Sequence, residues 1–472
     1  MVAPLASIHQ CGPEAPRQPG LLCRSRFLPL VFLGSFLLSW PLNPPASAAK
    51  NAPQASPQAL LEQGRLLRNE GKDAEAVPVL ERALALKKDD FDIESELGRA
   101  YNASEQYEQA AAVIERALQQ GLRDYGLTVI LARCYVRMGR LDRAKEVFGR
   151  AKKINPKESQ AYIEQGYAHF YTGEFDAARQ EFERSIAVDT SNPLGYLHLG
   201  SYLSQRGDNR AAEGYLLRAV HLLEAQPRRN PDDMAQAWVC LSDARLYQRK
   251  YRKAEAALRQ GLAAPEMSPY WRAGFLVHLG RVSIDQGRIA NAKRYGRRAL
   301  ALCDIGSSCS RPQWADIALS VIDLYAAQRH APEAQALARR VRDAFRDAKV
   351  NSANIYQVGW LANLFQGWGD IGEAEALWDR IVAARNAVPN HRCLGWALVG
   401  LAKTRLTRGQ LAEARGLYLQ AIETRGLLQE NAGEMADALN GLAEVYDKEG
   451  RPGEAQAARR RAAELKAHRG GS

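Results

Sequence analysis

The residues best suited to nucleophilic or metal chemistry in this 472-residue chain are eight histidines and seven cysteines, and their spacing gives them little to do. The histidines stand at positions 9, 169, 198, 221, 278, 330, 391 and 468, with no pair at metal-ligand spacing. The chain has no glycine-rich phosphate loop, no Gly-x-Ser-x-Gly elbow and no Cys-x-x-Cys pair. Acidic pairs at helical spacing are common, and surface ion pairs account for them. The residues therefore predict a chain with no catalytic side chain, no metal and no cofactor.

The cysteines divide by context. Cys11 and Cys23 lie near the amino terminus, and Cys134 and Cys240 fall in apolar helical stretches, where a buried thiol acts as a small hydrophobe. Cys303 and Cys309 flank the short run Asp304 to Ser308. In an exported protein these two are expected to form a local disulfide; otherwise they are free thiols. A metal site combining Cys303 with Cys393 or His391 is not expected.

Charge is the remaining chemistry. The formal net charge is +11, unevenly spread. Residues 60–124 carry 14 acidic and 9 basic side chains, whereas 238–300 carry 4 acidic and 13 basic. Two clusters stand out: Arg249, Lys250, Arg252 and Lys253, then Lys293, Arg294, Arg297 and Arg298. Such a surface suits an anionic polymer, a membrane surface or an acidic protein, or is simply a solvated basic face. Tyr247, Tyr251, Tyr270 and Trp271 interleave with it in sequence. Nucleic acid is disfavoured, because no dedicated binding module accompanies the charge.

What must position these groups is a repeat. Gly64, Gly98, Ala132, Gly166 and Gly200 recur at steps of 34 residues. Twelve places after each comes Ala76, Ala110, Ala144, Ala178 and Ala212, followed by Leu80, Ile114, Phe148, Phe182 and Leu216. Gly71, Gly139, Gly173 and Gly207 fall between them. Small residues let two antiparallel helices approach closely, glycine supplies a left-handed turn, and large apolar residues fill the seam. The alanine position then continues at Ala254, Ala292, Ala334, Ala374, Ala414 and Ala455, at steps of 38 to 42 residues. Ser242, Gly280, Ala362, Ala402 and Ala443 take the small position, and Gly287, Gly369, Gly409 and Gly450 the turn. The extra residues are clearest at Glu224 to Asp233 and Cys303 to Gln313, and they predict longer helices or connections after a change near residues 220–235.

Tyr135, Gly139, Ala144, Phe148, Ala151 and Pro156 in one unit, and Gly166, Gly173, Phe175, Ala178 and Phe182 in the next, resemble the tetratricopeptide repeat family. The longer second-half period resembles kinesin-light-chain-type repeats. Glu105, Arg249 and Arg329 depart from the pattern where a turn glycine is expected, as does Ile322 where a small residue is expected. The resemblance implies an all-α, right-handed helical-hairpin solenoid of about eleven units, whose concave face is lined by the first helix of each pair and binds protein or peptide. Lining positions one and four places after the small residue would be Arg65, Arg68, Arg99, Asn102, Arg133, Val136, Tyr167, Phe170, Ser201 and Ser204. An arginine ladder running into an aromatic anchor would suit an acidic peptide. Ser95 and Val129 stand, beside Arg99 and Arg133, where the family's chaperone-tail binders carry their carboxylate clamp. A co-chaperone role is therefore not expected.

The amino terminus reads differently. Arg17, Arg24 and Arg26 precede the apolar run Phe27 to Leu38, then Trp40, Pro41 and Ala46-Ser47-Ala48-Ala49. This resembles a secretory signal peptide, though a long one, and a retained membrane anchor is the alternative. Glu14, the single acidic residue before Lys50, also leaves an organellar transit segment or a cytoplasmic protein open. The expected organisation is a leader at 1–48, a linker at 49–57 bounded by Pro44, Pro45 and Pro57, five 34-residue units at 58–224, and about six longer ones at 225–472. The expected function is a non-catalytic scaffold for assembly, secretion or polymer handling in an envelope or secretory compartment. A membrane-complex subunit or an intracellular adaptor are the alternatives.

Overall fold

The computed structural model describes residues 56–467, apart from 139, 172–173, 227–229, 305–307, 327–331, 351–353, 385–390 and 425–431. The leader, Gly139, Gly173, Arg329 and His330 lie outside the described residues, as do the side chains of His391 and Cys393. Helices follow one another in antiparallel pairs, and the described residues divide into two compact units, one up to Thr190 and one from Ser191.

The unit up to Thr190 holds α1 (Pro57–Asn69) with α2 (Asp73–Leu86), α3 (Phe91–Ala103) with α4 (Tyr107–Gln119), α5 (Tyr125–Arg137) with α6 (Leu141–Ile154), and α7 (Gln160–Tyr171) with α8 (Phe175–Val188). From Ser191 onwards come α9 (Pro193–Gln205) and α10 (Asn209–Glu224), α11 (Pro231–Tyr247) and α12 (Tyr251–Ala263), α13 (Pro269–Asp285) and α14 (Ile289–Leu302). They are followed by α15 (Arg311–Ala326) and α16 (Pro332–Ala344), α17 (Ile355–Gly367) and α18 (Ile371–Ala383), α19 (His391–Thr407) and α20 (Leu411–Glu423), and a closing hairpin of Ala432–Lys448 and Pro452–Ala467. Within each unit the first helices of successive pairs pack on one another. Longer first helices take up much of the longer period: α11, α13 and α19 have 17 residues where α1, α3 and α5 have 13.

Helix starts follow from local chemistry. Asp90, Asp124, Asn192, Asn230 and Ser268 each accept a hydrogen bond from a backbone N–H of the first turn, satisfying groups the helix leaves unpaired. Pro193, Pro231 and Pro269 sit at the first positions, where a missing N–H costs nothing.

The seam alanines are the most enclosed part of the fold. Ten of the eleven are 0% exposed and Ala334 is 2% exposed. The small residues explain why. A Cβ added to Gly98 would stand 2.6 Å from Ile114, one added to Gly166 2.8 Å from Phe182, and one added to Gly200 2.6 Å from Leu216. The second helix thus presses its large residue into a place vacated by the first. Turns keep their left-handed residue even without glycine: Glu105 and Arg249 take φ of 61° and 59°, close to the 76° of Gly71. Between α14 and α15 a disulfide joins Cys303 to Cys309, with Cα atoms 5.3 Å apart and both residues buried.

Two outcomes test this packing. Ala144→Leu or Ala178→Leu must wedge a hairpin open, and each is expected to cost about 1–3 kcal/mol in denaturant unfolding. Arg249→Gly removes left-handed strain and is expected to raise the unfolding midpoint, by a net gain of roughly 0.5–1 kcal/mol. An unchanged or lowered midpoint in Arg249→Gly would mean the turn bears no strain.

Candidate functional site

The lining positions expected from the sequence lie on the first helices, so the site is built from what they present. In the unit up to Thr190 the expected arginines are already engaged. Arg65 meets Glu62 at 2.7 Å and Glu96 at 3.8 Å, and Arg68 meets Asp73 at 3.1 Å and also Glu96. Arg99 faces Asp124 at 3.8 Å, and Arg133 holds Glu164 at 2.7 Å. The arginine one place after a small residue therefore reaches an acid of the next first helix. That acid stands two places before the small residue for Glu96 and Glu164, and at the N-cap of α5 for Asp124. Such pairs are each worth about 0–1 kcal/mol and spend the positive charge internally. Asn102 accepts from the Cys134 thiol at 3.6 Å, a lateral contact between α3 and α5.

The expected aromatic anchor is placed otherwise than its spacing suggests. Phe170 is only 8% exposed and stacks edge-on against Phe175, 5.6 Å between centroids. Tyr167 is half-buried and meets Phe182 in the same way at 5.1 Å. Both rings pack on α8, the partner helix of their own hairpin. Ser201, on α9 in the other unit, is buried and accepts from Gln205 at 3.3 Å.

The basic segment is also resolved by the fold. Arg252 and Lys253 are exposed on α12, and Arg294, Arg297 and Arg298 on α14; all are second helices. Arg249 makes the left-handed turn, and Lys250 is bound to Glu213 at 2.7 Å. Burial opposes charge on Glu213, yet Lys250, Arg245 and Gln248 hold its carboxyl down to about 2. Lys293 reaches Glu333 at 3.8 Å, and Arg294 lies 5.8 Å from the ring centre of Tyr295. Tyr270 and Trp271 are 1% and 3% exposed on α13, so they do not interleave with the surface cations.

The first helices of this same stretch carry the opposite sign. Second helices α12, α14 and α16 hold ten basic and three acidic residues, whereas first helices α11, α13 and α15 hold six acidic and four basic. Asp243 on α11 lies 3.2 Å from His278 Nδ1 on α13. Arg281 donates to the Tyr247 hydroxyl at 3.1 Å and covers that ring. Trp271 Nε1 donates to Asp232 at 2.7 Å, and Gln357 on α17 donates to Asp316 Oδ1 at 2.7 Å. This face leaves Gln236 Nε2, Asp323 Oδ2 and Gln357 Oε1 unmatched within the protein. In the unit up to Thr190, Glu94 Oε2 and Arg133 Nε are unmatched too, but on side chains already ion-paired with Arg116 and Glu164. Burial pushes the carboxyls of Asp316 and Asp323 up to about 7, the latter despite Arg281. Burial and then the neighbouring Asp232 raise Asp233 to about 6. Tyr247, Trp271 and His278 were noted in the sequence, but Gln236, Asp243, Asp316, Asp323 and Gln357 were not singled out. The signal was present, six places and one place around the small position, but the summed charge of the segment concealed it.

Among the described residues no group of three or more His, Cys, Asp or Glu could hold a metal ion, and no helix is long and apolar enough to cross a membrane.

Two measurements follow. Phe170→Ala is expected to destabilise the chain by about 3 kcal/mol, as for a core phenylalanine. Because Asp316 and Asp323 hold protons in the folded state that the unfolded chain releases near pH 4, their contribution to stability falls as pH rises from 4 to 7 and stays low above it. Asp316→Asn with Asp323→Asn should flatten that slope and raise stability at pH 8, on the order of 1 kcal/mol after solvent screening. Thermal unfolding at pH 5 and pH 8 reads both; an unchanged slope refutes the assignment.

Models described as tetratricopeptide repeat match residues 59–94, 103–163, 163–232, 241–305 and 351–426. No protein with a curated description matches the chain in sequence. Among solved structures, yeast Tom70 is 14% identical with a TM-score of 0.45, over 87% of this chain and 92% of its own. A tetratricopeptide repeat protein of Parabacteroides merdae is 16% identical with a TM-score of 0.39, over 55% and 98%. PilF of Pseudomonas aeruginosa is 16% identical with a TM-score of 0.35, over 48% and 93%. Repeated family matches, helix pairs throughout and buried seam alanines lead to one assignment: this chain is a member of the tetratricopeptide repeat family, a protein-interaction scaffold.

Proposed function

We propose that the chain is an exported scaffold that holds a polypeptide segment of a partner against the first helices α11, α13, α15 and α17. The observation that carries this is the contrast between the two sets of first helices. Along α1, α3, α5 and α7 the charged lining groups close on one another, and the unmatched buried atoms of Glu94 and Arg133 belong to side chains already in ion pairs. Along α11 to α17, by contrast, Gln236 Nε2, Asp323 Oδ2 and Gln357 Oε1 are unmatched on side chains with no close ion pair of that kind among the described residues. A buried polar atom without a partner costs about 1–3 kcal/mol, and a ligand that meets it recovers that energy. Export is supported by the basic, apolar and small-residue order of the first 49 residues, and by a disulfide, a bond that oxidising compartments maintain. A role in assembly or secretion fits a scaffold in that compartment. A membrane surface or anionic polymer at Arg252, Lys253, Arg294, Arg297 and Arg298 is the second reading, favoured by their exposure on neighbouring second helices.

A photo-crosslinking amino acid placed at Asn363 on α17, and separately at Arg297 on α14, discriminates these readings in the living cell. Adducts to a defined protein at position 363 and none at 297 are expected. Protein adducts at 297 alone would move the site to the basic face, and lipid or polymer adducts there would establish the second reading. Intact mass of the same material is expected to show a start near Ala49 and two fewer hydrogens from the disulfide; an uncleaved leader would refute export with cleavage.

A further inference from the structure

We infer that the α11–α17 face takes a basic side chain, lysine or arginine, of the bound segment, received by Asp316 and Gln357 in a recess opened by Gly274. The inference rests on the peptide-binding reading above and adds the chemistry of the ligand. Gly274 is buried on α13, yet a Cβ added to it would find nothing within 4 Å. A buried glycine beside open space is a recess in the floor. It stands six places before the small residue Gly280, as Gln236 does before Ser242 on α11 and Asp316 does before Ile322 on α15. These three helices pack in that order, so the recess lies between Gln236 and Asp316. Tyr270, one turn earlier on α13, is within electrostatic reach of both Asp316 and Asp232.

The unmatched atoms specify the ligand. Gln357 is 9% exposed and donates its amide N–H to Asp316 Oδ1, which places that side chain beside the carboxylate. Its Oε1 has no partner in the protein. Asp323, two turns along α15, likewise has an unmatched Oδ2. Gln357 Oε1 is an acceptor, and Asp323 Oδ2 is one once ionised. Lysine and arginine side chains are donors only, so a cation both meets these oxygens and favours the ionised carboxyls. An acidic side chain would meet carboxylate and amide oxygen alone. Across the recess, Gln236 is 8% exposed with its Nε2 unmatched, a donor suited to a peptide carbonyl beside the cation. The exposed cations of α12 and α14 stand on second helices and do not enter this set.

The full chain, oxidised at Cys303 and Cys309, can be tested on immobilised random nonapeptides with the retained sequences read out. Lysine and arginine are expected to be enriched at one position roughly tenfold, the scale of a charge-assisted hydrogen bond. Asp316→Asn should abolish that enrichment while peptides are still retained, and Gly274→Leu, which fills the recess, should do the same. Arg339→Ala, at an exposed position of α16, should leave it unchanged. Circular dichroism establishes that each variant is folded, and Gln357→Leu substitutes for any that is not. Peptides retained without basic enrichment, or enrichment surviving Asp316→Asn, would overturn the inference and leave the peptide-binding reading standing. No peptides retained by the parent chain would overturn both.

Discussion

The close approach of two helices at an alanine is the contact on which the rest of this structure depends. At eleven places a second helix comes so near its first helix that no side chain beyond a methyl fits. Glycines on the facing helix extend the same demand, with Ile114, Phe182 and Leu216 pressed where a Cβ would otherwise stand. A single pair cannot bury its apolar face alone, so each hairpin needs the next, and stability is a chain of neighbour contacts. That arrangement determines which surfaces remain free. The seam consumes the apolar residues, and the outward faces of the two helix layers are left to carry charge.

The two layers carry it differently. From α11 to α16 the second helices are strongly basic, while the first helices of the same stretch gather carboxylates around Arg281 and His278. The separation matters because a partner meets one face at a time. A steering field from the outer cations acts over about a Debye length, roughly 8 Å at physiological salt. Short-range contact on the first helices is decided instead by individual donors and acceptors. In the unit up to Thr190 the lining arginines already pair with acids of neighbouring repeats, although Glu94 Oε2 and Arg133 Nε stay unmatched. From Ser191 onwards Gln236 Nε2, Asp323 Oδ2 and Gln357 Oε1 stay unmatched on side chains with no such pair among the described residues.

The fold was legible because its constraint is periodic. Ala76 through Ala455, and the turn glycines at 71, 207, 287, 369, 409 and 450, mark positions where only a small or left-handed residue serves, and such demands survive in composition. Glu105 and Arg249 show the limit, since the turn persists there under side chains that give no sign of it. The site was less legible. Arg99 and Arg133 read as ligands because their acidic neighbours, Asp124 and Glu164, lie 25 and 31 residues away in sequence and come together only on folding. Phe170 and Tyr167 satisfy a lining register and a core register at once; Phe170 is buried against Phe175, while Tyr167 packs on Phe182 and stays only half-buried. The cations at 238–300 masked the aspartates of the alternate helices, because a sum along the sequence mixes layers that the fold separates.

The first helices α11, α13 and α19 are four residues longer than α1, α3 and α5. Four residues are one turn, or about 6 Å of added helix. An extended chain advances about 3.3 Å per residue, so a strand laid along one such helix gains nearly two more residues of contact. For a segment bound as proposed, that added turn would offer lengthwise contact that the shorter first helices lack. A difference in repeat length would then act as a difference in gauge: a segment cut to the wider one would overhang the narrower.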